Sequence, residues 1–192
     1  MDEQFFGEIY KRHVKKLENL LVPHEKLMIC FSGIAGSGKT YVAEILEKRY
    51  KGVRIRNDDI RGIVASLDKN KDIDEATYGY FDWFFKNYPF KNKLIILDRG
   101  IDRGYKEVFP FFREKGYKIF VIRLKVSVEV YERRIRNKLG ELDDNYLNRI
   151  DDWRRQYKEF GEAIKPDILI ENERDNELNL EPLFKKLDKL VI

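Results

Sequence analysis

Residues 33–40 read Gly33-Ile34-Ala35-Gly36-Ser37-Gly38-Lys39-Thr40, and the octet fits G-x-x-x-x-G-K-[ST] at every fixed position. Its surroundings narrow the fold. Leu27-Met28-Ile29-Cys30-Phe31 upstream is a short continuous apolar run suited to a buried parallel strand, and Val42, Ile45, Leu46 and Tyr50 downstream recur at helical spacing. Strand, glycine-rich turn and helix let the backbone curl until successive N–H groups point at phosphate oxygens, with the positive end of the helix dipole behind them. The pattern implies a bound nucleoside triphosphate. Gly33, Gly36, Ser37, Gly38, Lys39 and Thr40 are expected to wrap its phosphates, with Lys39 on the β- and γ-phosphates and the Thr40 hydroxyl on Mg²⁺.

The rest of the chain repeats the strand–helix alternation. Strands are expected at 26–32, 53–56, 94–97, 119–122 and 168–170. Helices are expected at 1–21, after the octet to about 50, and at 60–67, 73–88, 103–115, 127–138 and 143–163, with a last one carrying Leu180, Leu183, Phe184, Leu187, Leu190 and Val191 on one face. Such alternation predicts an α/β fold: a central five-stranded parallel sheet between two helical layers, a three-layer sandwich. No repeat, low-complexity tract or linker interrupts it, and 192 residues suffice for one domain.

Composition excludes more than it selects. Charged residues make up 38% of the chain and the net charge is +4, which permits a polyanionic partner without requiring one. No apolar run approaches the ~20 residues that cross a bilayer. Cys30 is the single cysteine and falls inside the first strand, as an inert core thiol would. Together with an acidic start that lacks a signal-peptide pattern, this points to the cytoplasm. Phe6, Ile9, Leu17, Leu20 and Leu21 form one helical stripe, closed by Pro23, so the lysines of 11–16 read as a solvated face and His13 as a packing residue.

In a parallel sheet, ligands collect at the carboxyl ends of the strands. Two acidic segments fall there: Arg56-Asn57-Asp58-Asp59-Ile60-Arg61 and Asp98-Arg99-Gly100-Ile101-Asp102-Arg103. Phosphoryl transfer to an alcohol needs a carboxylate for the hydroxyl proton and cations for the transferring group. Asp58 is the candidate base, with Asp59 as the alternative; otherwise Asp59 caps a helix starting at Ile60. Arg61, one turn on, is placed to hold the acceptor. Asp98 sits where a Walker B acid would, placed to bind Mg²⁺ through water or to orient Arg61 or the acceptor; otherwise it caps the next turn. Asp102 suits a helix N-cap. After the fourth strand, a helix packed through Val128, Tyr131, Ile135 and Leu139 would leave Arg133 and Arg136 on its polar arc, as a lid over the triphosphate.

These residues together resemble the P-loop kinases that phosphorylate alcohols, especially the polynucleotide 5′-kinase-like and related small kinases of AAA type. That group joins a GxxGxGK[ST] loop to an Asn-Arg-Asp-Asp-x-x-Arg-like segment. Here the segment has its first two residues exchanged and one fewer residue before Arg61, and the arginines at 133, 134 and 136 match the family's lid spacing loosely. The resemblance covers about 26–170. It implies a P-loop NTPase of nucleotide kinase-like fold at 25–192, preceded by an N-terminal helical extension at 1–24.

The implied activity is ATP- and Mg²⁺-dependent transfer of a γ-phosphate to an alcohol, with a 5′-hydroxyl of a nucleic acid or nucleotide favoured. The family also phosphorylates sugars, antibiotics and other metabolites, and a slowly hydrolysing switch or assembly factor is the alternative from another class. In that case the N-terminal helix would be a docking or oligomer surface. Tyr78, Tyr80, Phe81, Trp83, Phe84, Phe85, Tyr88 and Phe90 crowd one short segment. Most must pack in the core, which leaves Tyr78 or Trp83 to stack on a base.

Overall fold

The computed structural model describes residues 3–17, 26–90, 94–140, 144–173 and 178–191. Five strands fall within them: β1 Leu27–Ser32, β2 Val53–Arg56, β3 Leu94–Gly100, β4 Lys118–Lys125 and β5 Ile168–Glu171. All are parallel, in the order β2-β3-β1-β4-β5. The strand that delivers the phosphate loop is therefore central, and all six of its residues are buried. Its apolar run has no alternation because both faces are covered.

The helices are α1 Glu3–Leu17, α2 Lys39–Tyr50, α3 Asn57–Leu67, α4 Ile73–Asn87, α5 Tyr105–Glu114, α6 Val128–Leu139, α7 Asp144–Ala163 and α8 Glu181–Val191, with a 3-10 turn at Ile101–Arg103. Successive β1 side chains serve opposite layers. Leu27, Ile29 and Phe31 pack with Val42, Leu46, Leu183 and Leu187 of α2 and α8. Met28 and Cys30 join the layer containing α1, α3, α4 and α5. This is the α/β three-layer architecture expected from the alternation. Among the described residues no helix is long and apolar enough to cross a membrane.

Two local differences bear on the site. α3 starts at Asn57, with Arg56 at its N-cap, so Asp59 does not cap a helix from Ile60. Asp58 and Asp59 instead occupy the first turn, where carboxylates oppose the helix dipole favourably. The β1–β3 register shifts between Cys30 and Phe31: Cys30 pairs with Leu97 and Phe31 with Gly100. The irregularity takes Asp98 and Arg99 out of the ladder with β1.

The N-terminal stripe is used inside the chain. Phe6 and Ile9 are buried, and the His13 ring nitrogen Nδ1 lies 2.9 Å from the Tyr80 hydroxyl. Trp83 packs edge-on to Tyr10, so it is a core-facing residue and not a stacking platform. Phe6 and Ile9 are thus covered by the chain's own packing, while the Leu17 side chain is outside the described residues. Leu20, Leu21, Pro23 and the boundary at 24 lie outside the described residues. Ile9→Ala is expected to lower unfolding free energy by about 2–5 kcal/mol in urea titrations, the cost of a cavity in a collapsed core. A change within noise would show that α1 detaches freely.

Candidate functional site

The loop leaving β1 turns back through Gly36 and Gly38, whose φ values of 75° and 96° lie in the left-handed region. A Cβ on Gly38 would also stand 2.5 Å from the Asn172 Nδ2 atom. That contact reflects a fixed arrangement: Asn172, just past β5 and buried, donates from Nδ2 to the Ser37 carbonyl at 2.9 Å. At the loop's other end the Asp102 carboxylate accepts from the Ser32 hydroxyl at 2.6 Å and the Gly33 N–H at 3.1 Å. Asp102 thus lies in the 3-10 turn and braces the loop, and is not the N-cap its sequence position suggested.

Lys39 opens α2 and turns its ammonium onto the carbonyls of Gly33 at 2.6 Å and Ile34 at 2.7 Å. Burial lowers its pKa to about 8, although Asp102 and then Asp98 pull it upward. Beside it, the Thr40 hydroxyl donates to Asp98 Oδ1 at 3.1 Å. Asp98 is buried at the end of β3, and burial raises its pKa against the pull of Thr40, Arg54 and Arg56. Its Oδ2 has no hydrogen bond, and the Nε atoms of Arg54 and Arg56 stand 3.8 Å away.

A buried carboxylate oxygen without a hydrogen bond, next to a threonine hydroxyl, fits the donor set that Mg²⁺ takes alongside phosphates and water. Among the described residues no group of three or more acidic, histidine or cysteine side chains could hold an ion alone.

A cleft of about 510 Å³ opens over this floor. Lys39, Thr40, Asp58, Arg61 and Tyr78 line it, so α2, α3 and α4 all contribute. Asp58 is exposed and lies 3.4 Å from Arg56. Arg61 pairs with Asp74 on α4, and Arg149 on α7 reaches the same carboxylate at 3.4 Å. Arg103 and Arg149 also line the cleft; sequence reasoning named Arg103 only as the end of its acidic segment and missed Arg149.

The lid arginines are corrected. Arg133 and Arg136 are exposed and do not line the cleft; α6 turns Arg134 towards it. Arg134 donates from Nη1 to the Gly36 carbonyl at 3.3 Å and from Nη2 to Asn172 Oδ1 at 3.2 Å. The reason is helix rotation. Val128 is half exposed, and the helix packs through Tyr131 and Ile135 against Ile150, Ile34 and Ala35. Arg134 lies about 60° from Tyr131 around the helix, whereas Arg133 and Arg136 lie about 160° and 140° away. The Leu139 side chain is outside the described residues.

A parallel sheet with a glycine-rich loop leaving its central strand into α2 defines a P-loop NTPase-like fold of nucleotide kinase type. The chain belongs to the AAA domain family, whose model matches residues 28–160. Solved structures of similar fold include a chain of the PezAT chromosomal toxin–antitoxin system of Streptococcus pneumoniae, with TM-score 0.61 and 16% identity over 100% of this chain and 88% of that one. Kti12 of Chaetomium thermophilum, solved with ADP-AlF3, has TM-score 0.59 and 15% identity over 86% and 99%. Shikimate kinase of Aquifex aeolicus has TM-score 0.52 and 15% identity over 85% and 97%. At such identities the likeness is one of fold. No curated protein matches the chain.

The depressed Lys39 pKa gives a signed expectation. The ammonium is fully charged below about pH 8 and is lost as pH rises through it. Affinity for a triphosphate is therefore expected to fall by up to about tenfold per pH unit above that point. Lys39→Arg, whose charge persists, should flatten the profile in a calorimetric titration. Asn172→Ala leaves the Ser37 carbonyl unpaired and is expected to cost about 1–3 kcal/mol of stability by thermal denaturation.

Proposed function

We propose that the chain is an ATP-dependent phosphotransferase that moves the γ-phosphate to an alcohol, with a 5′-hydroxyl of a nucleic acid or nucleotide as the acceptor class. One observation carries the reading: a single cleft joins the phosphate loop to Asp58, while four arginines on different elements (Arg61, Arg103, Arg134 and Arg149) line the same space. A second carboxylate facing an arginine-lined opening gives an acceptor hydroxyl both a base and a cationic wall, the parts that transfer to an alcohol adds to the loop and the acid near Thr40. Tyr78, exposed on the cleft wall, supports a ring-bearing acceptor.

In this reading Gly36 and Gly38 present backbone N–H groups to the phosphates, Gly33 and Ser37 hold the curl through their own N–H bonds to Asp102 and the Ile34 carbonyl, and Lys39 moves from the loop carbonyls to the γ-phosphate oxygens. Thr40 and Asp98 would hold Mg²⁺, which when bound would draw off negative charge from the transferring group. Asp58 takes the proton of the acceptor hydroxyl as its oxygen bonds to the γ-phosphorus, and the bond to the β-phosphate oxygen breaks to release ADP. Because Asp58 is exposed, it returns that proton to solvent. Arg134 offsets charge on the phosphoryl group and Arg61 holds the acceptor. Arg133 and Arg136 have no part in this scheme. Residues 25–192 form the catalytic unit, with α1 folded onto it.

Asp58→Asn is expected to retain ATP binding and to lose about 10²-fold or more in transfer, measured with γ-labelled ATP and 5′-hydroxyl oligonucleotides. Lys39→Ala should cost about 3–4 kcal/mol of transition-state stabilisation. Label released only as free phosphate, with every acceptor offered, would overturn the reading.

A further inference from the structure

A second recess, of about 760 Å³, opens between α4 and α5 and meets the phosphate-loop cleft at Tyr78 and Arg103, which line both. Its cations are Lys86, Arg99 and Arg103; its acids are Asp82 and Glu107. Arg99 is the informative member. It follows Asp98 on β3, and strand alternation sends the two side chains to opposite faces of the sheet. Asp98 meets Thr40, whereas the Arg99 guanidinium lies over the Phe81 ring, 4.9 Å from its centroid.

Among the described residues Arg99 has no hydrogen-bond or ion-pair partner. It is half-buried; burial works against its charge and so does Arg103, while Tyr78 and Asp82 offset part of this. A desolvated guanidinium with five donors and no acceptor is costly, and an oxyanion in the recess offsets that cost. Arg103 stands where the two cavities join, so it can reach the same anion from the cleft side.

We propose that this recess is the distal half of the acceptor site and takes a phosphate already carried by the hydroxyl-bearing substrate, with Arg99 and Arg103 as its ligands. The proposal rests on the phosphotransferase reading, because it places the hydroxyl of the same molecule at Asp58. Tyr78, at the junction, faces the ring between the two ends. The acceptor is thereby a phosphorylated alcohol and not a neutral one.

Two measurements test this. In transfer assays with γ-labelled ATP, adenosine 3′-monophosphate is compared with adenosine, and ribose 5-phosphate with ribose. The phosphorylated member is expected to be favoured at least about tenfold in kcat/KM, through KM, on the scale of a charge-assisted contact. Arg99→Met, which keeps an apolar stem on Phe81, should bring the pair to near equality, and Arg99→Lys should restore part of the preference. Equal use of both members by the unaltered chain would overturn the proposal.

Binding is read separately from chemistry, by calorimetric titration of adenosine 3′-monophosphate into the Lys39→Ala protein. Adding Arg99→Met should weaken it about tenfold, while adding Glu107→Gln, on the exposed first turn of α5, should tighten it. Unchanged binding in both double variants would sink the recess as an anion site. Transfer to no acceptor, with this binding intact, would instead count against the phosphotransferase reading itself.

Discussion

A loop built on left-handed glycines holds its shape only if something outside it fixes the curl, and here that support is the contact between Asn172 and the Ser37 carbonyl. Asn172 lies past β5, at the far edge of the sheet from β2, yet it reaches the loop because β4 alone separates β5 from β1. Its amide oxygen accepts from Arg134 of α6, so one buried amide joins the phosphate loop to the helix over it. Asp102 does the corresponding work on the β3 side through Gly33. The loop is thus gripped from both sides of β1 before any phosphate arrives. Preorganised donors of this sort need little rearrangement when charge develops, which is where their catalytic worth comes from.

The strand beside the loop divides its own end between two tasks. Pairing with β1 breaks register after Leu97, so Asp98 and Arg99 leave that ladder at the point where the sheet meets the cleft. Asp98 keeps its place opposite Arg56 on β2 and turns to Thr40. Arg99 turns the other way, onto Phe81 of α4. Two adjacent residues of opposite charge therefore sit on opposite faces of one sheet. The aromatic packing of α4 is what makes the second direction possible: Tyr80, Phe81 and Phe84 are buried and fix the helix against β3, so that a guanidinium has a ring to lie on.

What the sequence revealed follows from how local each signal is. The loop, its strand and its helix are contiguous, and Lys39, Thr40 and Asp98 sit at fixed offsets from strand ends, so their neighbourhood was readable without coordinates. The five strands were readable as apolar runs. The rotation of α6 was not. Choosing between Arg133, Arg134 and Arg136 depends on whether Val128 or Tyr131 centres the packed face, and periodicity in a short arginine-rich helix does not decide that. Asn172 and Arg149 were invisible for a different reason: each acts across a large sequence separation, and nothing local marks it. Asp102 and Asp59 misled because an acid near a helix start reads as a cap, while Asp102 has a stronger partner in a distant backbone N–H. The N-terminal helix was legible as amphipathic, but an amphipathic face does not say what covers it. Phe6 and Ile9 are covered by the chain's own helices.

Floor and wall of the cleft are held by interactions of different strength, and the difference suits their tasks. The floor is fixed by buried groups: Asn172, Asp98 and the Lys39 ammonium on two carbonyls. The wall is fixed by Asp74, which Asp72 positions by capping α4 through the Asp74 N–H at 2.9 Å and the Glu75 N–H at 3.0 Å. Arg61 and Arg149 share that single carboxylate, and all three side chains are about half exposed. Exposed pairs of this kind contribute about 0–1 kcal/mol each. A ligand oxyanion, met by a planar guanidinium at a charge-assisted bond of about 1.5–3 kcal/mol, competes for them easily. Two cations on one acid also leave an uncompensated positive charge at the opening, which draws anions towards Asp58, the only acid lining that cleft among the described residues. A rigid cradle shaped for a polyphosphate thus lies beneath a yielding, cationic wall.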